Sequence, residues 1–198
     1  MGRHRRIGLL GGSFNPAHGG HLHLSLIALR YLALDEVWWL VSPQNPLKPA
    51  RGMASFEKRL KNAARYARHP RIRVLGLEEK LGTRFTLDTL EALQPRFPHQ
   101  HFVWLMGADN LTQMRRWKDW PKIFARVPIA VFARPAYCQQ ALAEMAAQRF
   151  HRHRVAANRS RGLALMAPPA WVFFCSKLDA SSATAIRSRR APSAQSRR

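Results

Sequence analysis

His18 and His21 stand three residues apart, directly after the stretch Gly11-Gly12-Ser13-Phe14-Asn15-Pro16-Ala17. The short run Ile7-Gly8-Leu9-Leu10 before that stretch has the character of a buried strand, and a glycine pair at its end lets the backbone come close to a phosphate. A helix opening at Gly19 or Gly20 would aim free N–H groups at the same point. Two imidazoles at the mouth of such an anion site can donate hydrogen bonds and carry charge near neutral pH. The chemistry this segment supports is the handling of a nucleotide triphosphate.

Neither common phosphate loop is present. A Walker loop requires Lys-Ser or Lys-Thr after its last glycine, and a dinucleotide fingerprint requires G-x-G-x-x-G with a later acidic residue. A zinc site on His18 and His21 has little to draw on, because only His23 is nearby as a further imidazole and no carboxylate or cysteine is close in sequence. No residue is therefore assigned to a protein-held metal.

The elements that must position these residues alternate along the chain. Residues 5–10, 36–41, 71–75, 101–106, 127–133 and 171–174 read as strands, and 20–33, 54–68, 85–95, 119–125 and 137–150 as helices, with Leu22, Leu26, Leu29 and Ala33 on one helical face. Such alternation predicts an α/β fold with a parallel sheet covered by helices. Phe102-Val103-Trp104-Leu105-Met106 is continuously apolar, as a central strand buried on both faces should be. Ligands of open α/β sheets bind beyond the C-terminal strand ends, so the turn at Gly11 and the turn Gly107-Ala108-Asp109 are expected to meet at one crevice.

Composition sets the outer bounds. A chain of 198 residues, 46% hydrophobic, fits one domain over 1–190, with a basic, disordered tail over 191–198. No apolar run approaches the length of a membrane span, and the basic start Met1-Gly2-Arg3-His4-Arg5-Arg6 leads into too short an apolar run for an export signal, which predicts a cytoplasmic protein. Cys138 and Cys175, isolated in sequence and without metal or redox spacing, are expected to be reduced thiols. The formal charge of +22 implies an anionic partner, either small polyanionic substrates or a nucleic acid. Arg65, Arg68, Arg71, Arg73, Arg149, Arg152 and Arg154 lack the aromatic interleaving of a single-strand platform, so they read as solvated faces and the nucleic-acid alternative as remote. Nothing in the sequence signals an oligomeric state.

The ordered set Gly11, Gly12, Ser13, Phe14, Asn15, Pro16, His18, Gly20 and His21 resembles the signature of the nucleotidyl transferases with a His-x-Gly-His motif, with Ser for the usual Thr and Asn for the usual Asp. Within them the chain is similar to the bacterial nicotinate-nucleotide adenylyltransferases. Further matches follow in order: Asn45-Pro46-Leu47-Lys48, Thr86-Leu87-Asp88-Thr89-Leu90, Met106-Gly107-Ala108-Asp109, Trp117, Arg134-Pro135 and Ser182-Ala183-Thr184-Ala185-Ile186-Arg187. The last departs from the usual Ser-Ser-Thr-x-Ile-Arg at Ala183, which removes one hydroxyl.

This resemblance implies a Rossmann-like doubly wound parallel sheet and adenylyl transfer from ATP to nicotinate mononucleotide in NAD synthesis, with Mg2+ accompanying ATP. It implies His18 and His21 as the catalytic residues, donating hydrogen bonds to the ATP phosphates. Gly11, Gly12, Ser13, Phe14, Gly107, Asp109, Ser182, Thr184 and Arg187 would complete the ATP site. Asn45, Lys48, Thr86, Trp117 and Arg134 would bind the mononucleotide, Trp117 as ring stacker and Thr86 as carboxylate binder. Taken alone, Trp117 or Trp120 is more often a packing residue and Lys48 an ordinary surface lysine, while Asp109 also reads as a cap for a helix near Asn110 and 182–187 as a capped helix. The same fold with nicotinamide mononucleotide, phosphopantetheine or another phosphate as acceptor is the alternative.

Overall fold

The computed structural model describes residues 4–44, 52–133 and 137–175. Within them, seven strands form one sheet: β1 Arg5–Gly12, β2 Glu36–Val41, β3 Ile72–Leu75, β4 Gln100–Gly107, β5 Ile129–Ala133, β6 Arg154–Val155 and β7 Trp171–Cys175. The order is β3-β2-β1-β4-β5-β7-β6 and every pairing is parallel. The chain runs outward from β1 through β2 to β3 and then returns to lay β4 against the other side of β1. That reversal opens the crevice in which α/β sheets bind ligands.

The continuous apolar strands divide by parity into two cores, because successive side chains leave a strand on opposite faces. Ile7, Leu9, Trp38, Leu40, Phe102, Trp104 and Met106 face one side, while Leu10, Val37, Trp39, Val41, Val103 and Leu105 face the other. Helices α4 Thr86–Arg96, α5 Ala108–Gln113, α6 Trp120–Arg126, α7 Cys138–Ala143 and α8 Met145–Arg149 pack residues into the first core. Helices α1 Gly19–Tyr31 and α2 Phe56–Tyr66 cover the second, joined by Leu163 and Ala164 of a 3-10 stretch at Ala157–Leu165. This is the expected Rossmann-like layering, and β4 is its central strand.

Several expectations require correction. The buried face of α1 is Leu24, Ser25, Ala28 and Leu29, whereas Leu26 is 39% exposed and Ala33 lies beyond the helix. Ser25 can occupy the inner face because its hydroxyl donates to the His21 carbonyl at 2.8 Å and accepts the Trp39 indole N–H at 2.8 Å. The expected helix over 137–150 is two helices, broken where Glu144 takes an extended conformation (ψ 151°). Helix α3 Leu77–Leu81, the two-residue β6 and the 3-10 stretch at 157–165 were not signalled by periodicity.

Cys138 and Cys175 are not free thiols but a disulfide. Cys175 ends β7, paired in register with Ala133 of β5, and Cys138 opens the helix that follows β5, so strand neighbours bring their Cα atoms to 5.9 Å. Their separation of 37 residues concealed this proximity in the sequence.

Candidate active site

The turns after β1 and β4 lie side by side at the switch point, since Leu10 pairs with Leu105 two residues before each strand ends. Gly11 is required by what lies against it. A Cβ there would come 2.6 Å from the indole of Trp104, a side chain only 2% exposed. Gly11→Ala is expected to cost about 1–3 kcal/mol by overpacking, read as a lower melting temperature together with lost activity.

The histidine loop is held from inside. Ser13 and Phe14 are buried, and Phe14 takes a left-handed φ of 45°, a conformation that a bulky residue adopts only when its surroundings dictate it. Its ring stacks on Trp39 at 5.0 Å and touches His21 at 4.7 Å, forming a floor under the imidazole. Phe14 can therefore meet a nucleotide only through its backbone. Asn15, also in the signature, turns its side chain toward the chain before α2, donating to the Gly52 carbonyl and accepting from the Ala54 N–H, each at 3.3 Å.

His18 is the N-cap of α1, its Nδ1 accepting the Gly20 N–H at 3.1 Å, while His21 Nδ1 accepts the His18 N–H at 3.3 Å. This is a capping box built from two histidines, with ring centroids 3.9 Å apart. An Nδ1 that accepts carries no proton, so each ring holds its proton on Nε2 and is a neutral N–H donor in this arrangement. The two histidines thus stand together at the N-terminal end of α1, the end of a helix that carries partial positive charge.

Asp109 lies in the first turn of α5, whose N-cap is Gly107, so it does not cap a helix beginning near Asn110. Its carboxylate occupies the space a Cβ on Gly107 would need, which explains glycine at that position. Trp117 follows a 3-10 turn at Met114–Arg116 and meets Trp104 edge-on at 6.5 Å. Lys118 then reaches Asp88 at 3.3 Å and lies 5.0 Å over the Phe85 ring, placing the Trp117 loop against the start of α4, where Thr86 is the first residue. Gly11, Trp104, Trp117 and the Thr86 helix end are thus linked by successive contacts, joining the turn after β1 to the corner where the acceptor residues were expected. Asn45, Lys48, Arg134, Ser182, Thr184 and Arg187 lie outside the described residues, as does the 191–198 tail.

Two buried charged residues were not singled out from sequence. Arg59 is 2% exposed, and its burial lowers the guanidinium pKa; Glu78 of α3 is 6% exposed. Burial raises the Glu78 carboxyl to about 7, opposed by a hydrogen bond with the Ser42 side chain. A signal for Arg59 exists in its spacing, three residues after Phe56 and four before Ala63 on the packed face of α2, but in Glu57-Lys58-Arg59 it reads as part of a solvated charge run.

A family model described as cytidylyltransferase-like matches residues 9–189. The chain is 54% identical over 182 residues to a probable nicotinate-nucleotide adenylyltransferase of Erythrobacter litoralis, covering 92% of this chain and 83% of that one. It is 52% identical over 184 residues to a protein of the same name from Parvibaculum lavamentivorans, covering 93% and 92%. Among solved structures, Plasmodium falciparum nicotinic acid mononucleotide adenylyltransferase complexed with APC matches with a TM-score of 0.67 at 16% identity, covering 93% of this chain and 83% of that one. The same enzyme complexed with NaAD matches with a TM-score of 0.66 at 17% identity, with the same coverage. At such identities the structural likeness speaks for the fold alone.

Proposed function

We propose the following reaction for this chain, which belongs to the cytidylyltransferase-like family and, within it, to the nicotinate-nucleotide adenylyltransferases: the adenylyl group of ATP passes to nicotinate mononucleotide. A phosphate oxygen of the mononucleotide attacks the α-phosphorus in line. As that P–O bond forms, the bond from the α-phosphorus to the α,β-bridging oxygen breaks, giving nicotinate adenine dinucleotide and pyrophosphate. No enzyme nucleophile takes part, so catalysis is positioning plus neutralisation of charge on the equatorial and leaving oxygens.

The observation that carries this reading is the double-histidine capping box at the switch point of the sheet, which supports two imidazole donors and a helix N-terminus gathered at the ATP phosphates. His21 is assigned to the α-phosphate and His18 to the neighbouring phosphates. Asp109, at the end of β4, is assigned to the ATP ribose or adenine side. Ser182, Thr184 and Arg187 are assigned to the leaving pyrophosphate, and Asn45, Lys48 and Arg134 to the mononucleotide. Magnesium is proposed to arrive with ATP as part of the substrate, where it would offset the charge of the phosphates and keep several of its waters. Among the described residues, no group of three or more His, Cys, Asp or Glu forms a metal cage, and none is assigned to the ion.

We also propose that the protein works in the cytoplasm. Among the described residues no helix is long and apolar enough to cross a membrane. The positive charge is read as serving two polyanionic substrates. Some of it is committed elsewhere, since Arg5 and Arg73 pair with Glu36, and Arg6 with Asp35, at the strand ends remote from the crevice.

Trp117→Ala and Thr86→Ala test the acceptor assignment. Each is expected to raise the KM for nicotinate mononucleotide at least about tenfold, the scale of one lost stacking or charge-assisted contact, with little change for ATP. Equal changes for both substrates would point to another phosphate acceptor on the same ATP site.

A further inference from the structure

The Arg59 guanidinium binds main-chain carbonyls from three separate segments. Nε donates to the Ala54 carbonyl at 3.0 Å, Nη1 to the Ser13 carbonyl at 2.7 Å and the Ser42 carbonyl at 2.6 Å, and Nη2 to the Pro43 carbonyl at 2.5 Å. Ser13 belongs to the loop between β1 and α1, Ser42 and Pro43 to the chain leaving β2, and Ala54 to the approach to α2. Less than one helical turn further along α2, Asn62 Oδ1 accepts the Ala17 N–H at 3.1 Å. One face of α2 therefore grips the histidine loop at both ends, Ser13 and Ala17, immediately before His18.

A buried charge is a costly way to gain stability alone, since apolar residues of similar volume commonly serve as well. A guanidinium does what they cannot: its planar fork of five donors serves several carbonyls at once, where a lysine ammonium offers a single point charge. We propose that Arg59 is a positioning residue coupling the histidine loop to the chain that leaves β2 and leads in sequence to Asn45 and Lys48. It thereby fixes the histidine loop and the exit of β2 against each other. Asn62 is the second positioning residue and acts on the histidine loop only. This inference rests on the reaction proposed above.

The test uses the full chain as wild type, Arg59→Lys and Asn62→Ala, with kcat, both KM values and ATP affinity by titration calorimetry measured well below the melting temperature of each. Arg59→Lys is expected to raise the KM for ATP and for nicotinate mononucleotide together and to lower kcat/KM about 10- to 100-fold, the scale of small misplacements in a positioned site. Asn62→Ala is expected to weaken ATP about tenfold and leave the mononucleotide KM unchanged. Variants that melt earlier but keep wild-type constants would show a merely structural role and overturn the proposal, as would an Asn62→Ala that affects both substrates equally. Should Arg59→Lys not fold, Arg59→Gln, whose amide keeps two donors, takes its place in the same measurements and is expected to raise both KM values. A wild type without turnover would overturn the reaction, while calorimetry would still read the grip on the ATP loop.

Discussion

Replacing His21 with alanine is expected to lower kcat about 10²- to 10³-fold, the usual loss when one preorganised donor to a developing charge is removed. The ATP KM should change far less. The geometry explains this division. His21 rests on Phe14 at 4.7 Å, and its Nδ1 is engaged by the His18 N–H, so the proton on Nε2 has one direction set by the fold. Under the proposed assignment, a donor fixed in this way loses no energy reorganising as charge grows in the transition state, whereas the glycine turn and the start of α1 would still hold the ground-state phosphates in the variant. Steady-state kinetics beside a melting curve check the prediction. A variant folded like wild type with unchanged kcat would remove His21 from transition-state stabilisation.

The second large effect concerns stability and pH. Burial raises the Glu78 carboxyl from 4.5 to about 7. Below about pH 4.5 the group is protonated in folded and unfolded chains alike and costs nothing. Between 4.5 and 7 the unfolded chain gives up the proton while the folded protein keeps it, so the folded state binds more protons and stability falls as pH rises. Above pH 7 the full cost is present, on the order of 3 kcal/mol at 1.36 kcal/mol per pH unit. Glu78→Gln keeps a side chain able to bond Ser42 and removes the ionisation. It should raise the melting temperature at pH 8 by several degrees, at roughly 2–4 °C per kcal/mol for a chain of this size. At pH 4 the two proteins should melt within about a degree of each other on the same scale. A constant difference across that range would mean that Glu78 titrates alike in the folded and unfolded chains, so that burial does not raise its carboxyl.

Much of the fold was legible in the sequence because its central strands are buried on both faces. Tracts such as Val37–Val41 and Phe102–Met106 are continuously apolar, and two-sided burial follows from that alone. The pairing of the Gly11 and Gly107 turns at one crevice followed from the parallel topology. What escaped notice depends on contacts distant in sequence. Ser25 looks like an outward-facing residue until Trp39 supplies its partner, and Cys138 and Cys175 become neighbours only when β5 and β7 pair. Arg59 resembles its charged neighbours until the carbonyls of Ser13 and Ser42 close over it. In the site itself, motif spacing named the histidines. Only the structure revealed that they cap each other, which determines the nitrogen that holds the proton.

Pyrophosphate release from MgATP with nicotinate mononucleotide, run beside nicotinamide mononucleotide and phosphopantetheine, tests the central claim most directly. The account predicts rapid release with the acid mononucleotide, slow release with the other two, and loss of the activity in His21→Ala. Release that requires a different acceptor, or that survives His21→Ala undiminished, would contradict it.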